Sequence, residues 1–540
     1  MKNSIMLRLN ILLSFLIVAI LVSAQSNLSN DFKISTTEPY DVVDAKSKKY
    51  FADNEGFAYS IKTNKDEVVV QKFDITSMKE VARNSYKDTP PYNKAIDVVN
   101  VGDRFYYLFE SYNKKAKKNS IHLRELYTKD CTLGVDKILF TTNGQVANGP
   151  ASEATGLWGV AGGPPFTVYK SFDDSKIMIN YRRKPLVKDN DKNYDILGFF
   201  VFNSSFELIW GKEVKMPYTE TKMNNLAYTI GADGTAYMMS LHTDKKDFLL
   251  FTIPEVGKLT IESVDIGNFI FKRLYMKENK NGNIGFLGYY ANGIEYKFWE
   301  GSFGNLSINT NGIKYFEISK QGELISNKDV EFPIELINKY ESKKQKNKND
   351  KREKGGKAGI RDLVLRKFSI NPDGSIFILG EQYYYVKKMN AKSHSMTYQF
   401  HYEDLVATKL NIKGEILWMK KLPKRQFGTK GRGGMGIAYM EGNNSHYILF
   451  LDNVKNADIG INEVPAKHVD GKGGYLTAYK INDATGDYSK HVLYNSQEVN
   501  DVKTHQFETT RILKADDNVL LVEVYVKGKK DMIIKMELVD

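Results

Sequence analysis

The chain has 540 residues, 42% hydrophobic and 26% charged, with a formal net charge of +12 and a single cysteine. Cys131 alone excludes an intramolecular disulfide scaffold and a cysteine-based zinc site, so apolar burial must hold the fold together. The charge is concentrated: residues 339–361 hold ten Lys or Arg against Glu341, Asp350 and Glu353, a net +7, which argues against nucleic acid binding by the body of the chain.

Residues 1–24 read as a secretory signal peptide. Lys2 and Arg8 precede an apolar run, Ile11 to Val22, and Val22-Ser23-Ala24 supplies the small residues for cleavage after Ala24. The run falls short of the roughly 20 residues that a bilayer crossing needs, so no membrane span is expected. No cysteine follows the cleavage region to carry a lipid. The mature chain, 25–540, is therefore expected outside the cytoplasm, secreted or periplasmic, as a single domain.

A turn rich in Asp, Asn and Gly followed by an apolar strand recurs along that chain. It appears as ADNEGFAYSI from Ala52, VGDRFYYLFE from Val101, FDDSKIMINY from Phe172 and GADGTAYMMS from Gly231. It continues as KNGNIGFLGYY from Lys280, INPDGSIFILGEQ from Ile370, EGNNSHYILFL from Glu441 and ADDNVLLVEVY from Ala515. Each copy follows another short β-like run, so each reads as a hairpin whose turn residues accept positive φ. Second hairpins follow, and their alignment tightens: FNSSFELIWGKEV from Phe202, ISKQGELISNKDV from Ile318 and LNIKGEILWMKKL from Leu410 superpose Glu207, Glu323 and Glu415, and Trp210 on Trp418.

Repeated four-stranded antiparallel units of this kind resemble the blades of a β-propeller, a likeness that covers nearly all of the mature chain. It implies an all-β fold of eight blades, with seven as the alternative count. The last unit lacks its fourth strand, and Asp31 to Thr36 (DFKIST) is the spare N-terminal strand expected to close the ring. Kelch, WD and sialidase signatures are missing, so the resemblance stops at the superfamily and carries little about function.

The hairpin turns are short, whereas the other links are long: 142–165, 183–193, 299–311, 339–361, 385–397, 423–433 and 453–473. In a four-stranded blade these two kinds of connection lie on opposite faces, so function is expected on the long-loop face. The candidates there are Trp158 in GLWGVAGGPPF, Arg182 and Arg183 in YRRKP, Tyr383 in EQYYYVKK, His401, and Arg425 and Arg432 in KRQFGTKGRGG. Trp158 suits stacking on a sugar or pinning its loop; the arginines suit carboxylate or sulfate, or simple solvation. The basic segment 339–361 has almost no apolar residues and is expected as a disordered insertion.

No Gly-x-Ser-x-Gly elbow or His-Glu-x-x-His helix is present, and His394 and His401, the closest histidine pair, lie seven apart, a poor metal spacing. No cofactor or metal is read from the sequence, and catalytic residues are unknown. The expected function is that of an exported, monomeric, non-catalytic binding or scaffold protein with a protein or glycan partner, including acidic polysaccharide. The alternative is a polysaccharide lyase or glycoside hydrolase at the ring centre, with Arg182, His401 and Tyr383 as the first candidates for a lyase.

Overall fold

The computed structural model describes residues 29–539 apart from 65–66, 148–164, 188, 293, 298–304, 372, 390–394 and 430–432. Every recurrent turn sits between two antiparallel strands, as the repeat requires. In the copy at Ile370, Asp373 accepts from the Ser375 amide at 2.8 Å, while Gly374 takes φ +80°, a backbone conformation that a side chain would strain.

The chain is a β-propeller of small antiparallel sheets. The first blade runs Ser47–Ala52, Phe57–Thr63, Val68–Asp74 and Lys79–Tyr86, and the second is built on Lys94–Val101, Arg104–Asn113 and Lys118–Tyr127. The third spans Phe166–Lys170 to Leu208–Thr219, and the fourth Met223–Ile230 to Thr260–Val264. Ile270–Glu278, Ile284–Ala291, Gly312–Ile318 and Leu324–Glu331 make the fifth; Leu363–Ile370, Ile376–Met389, Met396–Leu410 and Ile416–Leu422 are the main strands of the sixth.

Six blades thus stand as separate sheets, which corrects the expectation of eight, or seven. The strands from Ala438 onward, apart from His468–Val469, join Phe32–Thr36 and Tyr40–Asp41 in one eleven-stranded sheet. The short pair Glu498–Val499 and Val502–Gln506 causes the fusion. It bonds to Tyr488–Asn495 on one side and Val519–Val526 on the other, carrying the ladder across what would otherwise be a gap. Phe32–Thr36 pairs antiparallel with Lys530–Leu538, from Phe32 opposite Leu538 to Thr36 opposite Ile534, so the two ends of the described chain share one sheet edge.

Middle strands are buried on both faces and pack against the next sheet. Tyr59, Ile61 and Val70 of the first blade meet Phe105, Tyr107 and Phe109 of the second. Ala58 and Phe73 on the other side of the first blade meet Val519, Leu521 and Ile533 of the eleven-stranded sheet. Outer strands alternate instead, as Lys79–Tyr86 does residue by residue. The matched tryptophans have a structural reason: Trp210 donates its indole N–H to Gly234 O at 2.9 Å and Trp418 donates to Asp483 O at 2.8 Å, each tying an outer strand to a turn of the following sheet.

Several long links carry secondary structure of their own, and three of them differ most from the expected loops. Within 299–311 and just before it, Ile294–Lys297 and Asn305–Thr310 form a hairpin that Ile360–Arg361 extends. The basic segment, expected to be disordered, holds the helix Lys343–Glu353, capped by Ser342. Polar contacts replace the missing apolar ones: Asn349, 2% exposed, donates to Asn338 Oδ1 at 2.9 Å, and Tyr340 donates to Ile461 O at 2.9 Å. The third case is 385–397, where the strands Ile376–Met389 and Met396–Leu410 continue well past the blade. Among the described residues, no helix is long and apolar enough to cross a membrane.

Phe32 is 6% exposed and packs edge-on to Tyr447 at 5.2 Å. Phe32→Ala should therefore destabilise the protein by about 3 to 5 kcal/mol in urea unfolding, whereas Ser35→Ala on the same strand should cost well under 1 kcal/mol. Equal, small effects at both positions would show that this strand does not hold the ring.

Candidate functional site

Connections between second and third strands, and between successive sheets, fall at one end of the strands, and the tight hairpin turns at the other. Among the described residues, the sixth-blade hairpin projects at the long-link end. Its inner strand stops pairing at Gln382, opposite Leu363, yet Tyr383 to Met389 remains paired with Met396 to Tyr402. Gln426–Gly428 covers the base of this extension by pairing with Phe400 to Tyr402; in the described residues nothing pairs along that edge further out.

Alternation puts Tyr383 and Tyr385 on one face, and the cross-strand register adds Tyr398, Phe400 and Tyr402 to it. Ring centroids lie 4.6 Å apart for Tyr383 and Tyr402, 6.4 Å for Tyr385 and Phe400, and 5.9 Å for Tyr385 and Tyr398. The five rings form a ribbon leading outward from the blade. Tyr398 is 42% exposed and the other four are half-buried.

A buried ion cluster fixes the ribbon's base. Glu381, 0% exposed, takes Arg366 Nε at 2.7 Å on one oxygen and Lys424 Nζ at 2.8 Å on the other. Lys424 also donates to Gln426 Oε1 at 2.9 Å. Burial pulls the Lys424 ammonium below its usual range, and Glu381 opposes that shift. Arg366 lies over both rings of the first pair, 5.5 Å from Tyr383 and 5.7 Å from Tyr402. Two basic side chains, Arg366 and Lys424, thus meet at this one carboxylate. Burial raises the Tyr383 hydroxyl, with Arg366 opposing, and raises Tyr402 further, so both phenols hold their protons at neutral pH.

Tyr384 and His401 occupy the opposite face of the extension, stacked at 4.7 Å, with Arg361 3.9 Å above Tyr384. Tyr384 donates to Glu403 at 3.0 Å, and His401 Nδ1 lies 3.5 Å from the same oxygen. Burial pushes the Glu403 carboxyl up, but these partners more than offset it and hold it below its ordinary value.

Of the residues singled out in the sequence, Tyr383 stands in the ribbon, His401 behind it, and Arg425 is exposed next to the base. Arg182 is buried in the third blade, 3.4 Å from Asp195, and Arg183 pairs with Glu213 at 3.0 Å. Arg182, His401 and Tyr383 therefore do not converge, which corrects the expectation that they assemble a lyase centre. Trp158, His394 and Arg432 lie outside the described residues. Phe400, Tyr402, Arg366 and Lys424 carry no spacing or motif that singles them out in the sequence.

No family model matches the chain, and no curated protein matches it. Among solved structures, it resembles polysaccharide lyase Uly1 at 9% identity and TM-score 0.38, covering 95% of this chain and 100% of that one. It also resembles the WD40 domain of SCAP from fission yeast at 8% identity and TM-score 0.37, covering 95% and 97%. The β-propeller domain of the Trilobed protease from Pyrococcus furiosus, described as having an open velcro topology, aligns at 11% identity and TM-score 0.33, covering 85% and 98%.

Beside the ribbon base, Asp404 lies 3.3 Å from Lys421 and accepts from the Lys424 amide at 3.2 Å; burial, only partly opposed by Lys421, raises its carboxyl to about 6. The folded protein thus binds this proton more tightly than the unfolded chain, so the stability it supplies is present below the ordinary carboxylate value and lost as pH rises through about 6. The stability of wild type relative to Asp404→Asn should fall by on the order of 3 kcal/mol between about pH 4 and 6.5 in denaturant titrations. A pH-independent difference would contradict that environment for Asp404.

Proposed function

We propose that the protein is an exported, non-catalytic binding propeller that holds an acidic polysaccharide along the aromatic ribbon of the sixth-blade extension. The ribbon carries this reading. Rings in a row on a rigid two-stranded support offer flat apolar surfaces to the C–H faces of successive sugars, and contiguous half-exposed aromatics on a protein surface are characteristic of binding sites. Arg366 at the base, with Lys387 Nζ 5.8 Å from the Tyr385 ring, supplies the charge that would select uronate or sulfate over a neutral chain.

Binding is favoured over a hydrolase or lyase because the carboxylate at the ribbon's base is already engaged in ion pairs. Glu381 is buried under two cations, and Tyr383 and Tyr402 retain their protons, so none of these three is poised to abstract one. Glu403 and His401 face away from the ribbon.

Affinity chromatography or calorimetry with polygalacturonate, dextran sulfate and neutral dextran tests the reading. The acidic polymers should bind, dextran should not, and affinity should fall steeply as salt rises from about 50 to about 500 mM. Tyr398→Ala and Phe400→Ala should each weaken binding about tenfold, and Lys387→Glu, on the same face, should weaken it without changing thermal stability. Retention of neither acidic polymer, or ribbon variants that bind like wild type, would overturn it.

A further inference from the structure

The helix Lys343–Glu353 contains no apolar residue, and local forces work against it. Its first turn holds Lys343 and Lys344 and no acid, where the positive end of the helix dipole favours carboxylates. Lys344, Lys348 and Arg352 follow at four-residue intervals, so like charges neighbour one another along the helix. Such a sequence is at best marginal as an isolated helix in water.

It stands because it is docked. Leu336 and Ile337, just before it, are buried in the core between the fifth and sixth blades. Lys421, 0% exposed on the outer strand of the sixth blade, donates to Lys339 O at 2.8 Å. Tyr340 shares a 3.0 Å hydrogen bond with Tyr488 of the eleven-stranded sheet. On the helix itself only Asn349 is buried.

Docking leaves the charge outside. Lys343, Lys344, Lys346, Lys348 and Lys351 are all exposed, and among the described residues none of them is paired with a carboxylate. Acids close to them in the chain are engaged elsewhere: Asp350 accepts from Asn338 at 2.8 Å, and Glu341 lies 3.4 Å from Lys421. Glu353 is the one other acid between 341 and 357, and the exposed Lys354 and Lys357 outnumber it. Lys344, Lys348 and Lys351 fall at i, i+4 and i+7, a stripe about 10 Å long on one face.

We propose that this helix is a docking surface for a membrane rich in anionic phospholipids. The side chains favour that partner over an acidic polysaccharide. Residues 341–359 contain no aromatic ring to stack on a sugar, and one arginine against seven lysines. Lysine is a hydrated point charge on a flexible stem, so several of them act together on a field of phosphates without a fixed pairing geometry. Clusters of about four to eight basic residues on a helix suit anionic headgroups in this way. With no apolar face to insert, the contact stays at the headgroups and is reversed by salt. The ring already holds the helix, so binding does not have to order it. The inference is independent of polymer binding along the ribbon.

Co-sedimentation of the full chain with vesicles of phosphatidylcholine, alone or mixed with phosphatidylglycerol, tests it. The mixed vesicles should retain the protein and the neutral ones should not, with binding lost as salt rises from about 50 to about 500 mM. Lys344→Gln, Lys348→Gln and Lys351→Gln combined should weaken vesicle binding at least about tenfold and leave polygalacturonate binding as in wild type. The thermal midpoint of this triple variant should be unchanged or raised, since it removes repulsion. Lys387→Glu, on the ribbon, should keep vesicle binding while weakening polymer binding. Equal retention on neutral and mixed vesicles, a triple variant that sediments with mixed vesicles like wild type, or one that loses polygalacturonate instead would each overturn the proposal.

Discussion

Face-to-face packing of sheets buried on both sides is the constraint on which the rest of this protein depends. A strand such as Val68–Asp74 or Ser445–Asp452 has no polar face to give to water, so each sheet is stable only between two neighbours. That requirement propagates around the ring until the last sheet meets the first. There Ala58 and Phe73 pack on Val519, Leu521 and Ile533, and the strand Phe32–Thr36 covers the final edge. With one buried thiol and no disulfide in the chain, this apolar contact does the work of cross-links.

The same constraint decides where function can sit. Buried sheets leave only their ends free, and tight turns occupy one of them. At the other end the sixth-blade hairpin can lengthen without disturbing a core, because beyond Gln382 its strands no longer pair with the inner strand. The lengthened part still needs a fixed root. Glu381, itself buried, provides it by holding both Arg366 and Lys424, so the first ring pair is positioned by the blade itself. Charge in an apolar strand thus marks a place where the fold has been adapted to hold something.

Much of the architecture was legible in the sequence, for a local reason. Asp, Asn and Gly at turns, followed by apolar runs, are set by backbone geometry within a few residues, and those hairpins form as read. Trp210 and Trp418 aligned because both reach the next sheet's turn. The separate-blade count failed because fusion of the C-terminal sheet rests on two short strands around Asn500, which have no periodicity to read. The helix Lys343–Glu353 was missed because its docking uses Asn338, Tyr340 and Asn349, side chains that a search for apolar stripes passes over. Residues 385–397 read as a link, although the alternation of Tyr383, Tyr384 and Tyr385 was already that of a strand. Arg182 looked available because its partner, Asp195, lies on the neighbouring strand. The buried ion pair of Lys62 with Glu523, 461 residues apart, had no spacing signal, yet a lone charge inside each apolar strand was visible.

The central claim is that binding occurs on one face of one extension. A crystal structure with a bound uronate oligosaccharide tests it most directly. The account predicts sugar rings lying on Tyr385, Tyr398 and Phe400 with a carboxylate directed toward Arg366 or Lys387. Sugar seated instead against the short hairpin turns at the opposite end of the strands, or on the Tyr384 and His401 face, would contradict it.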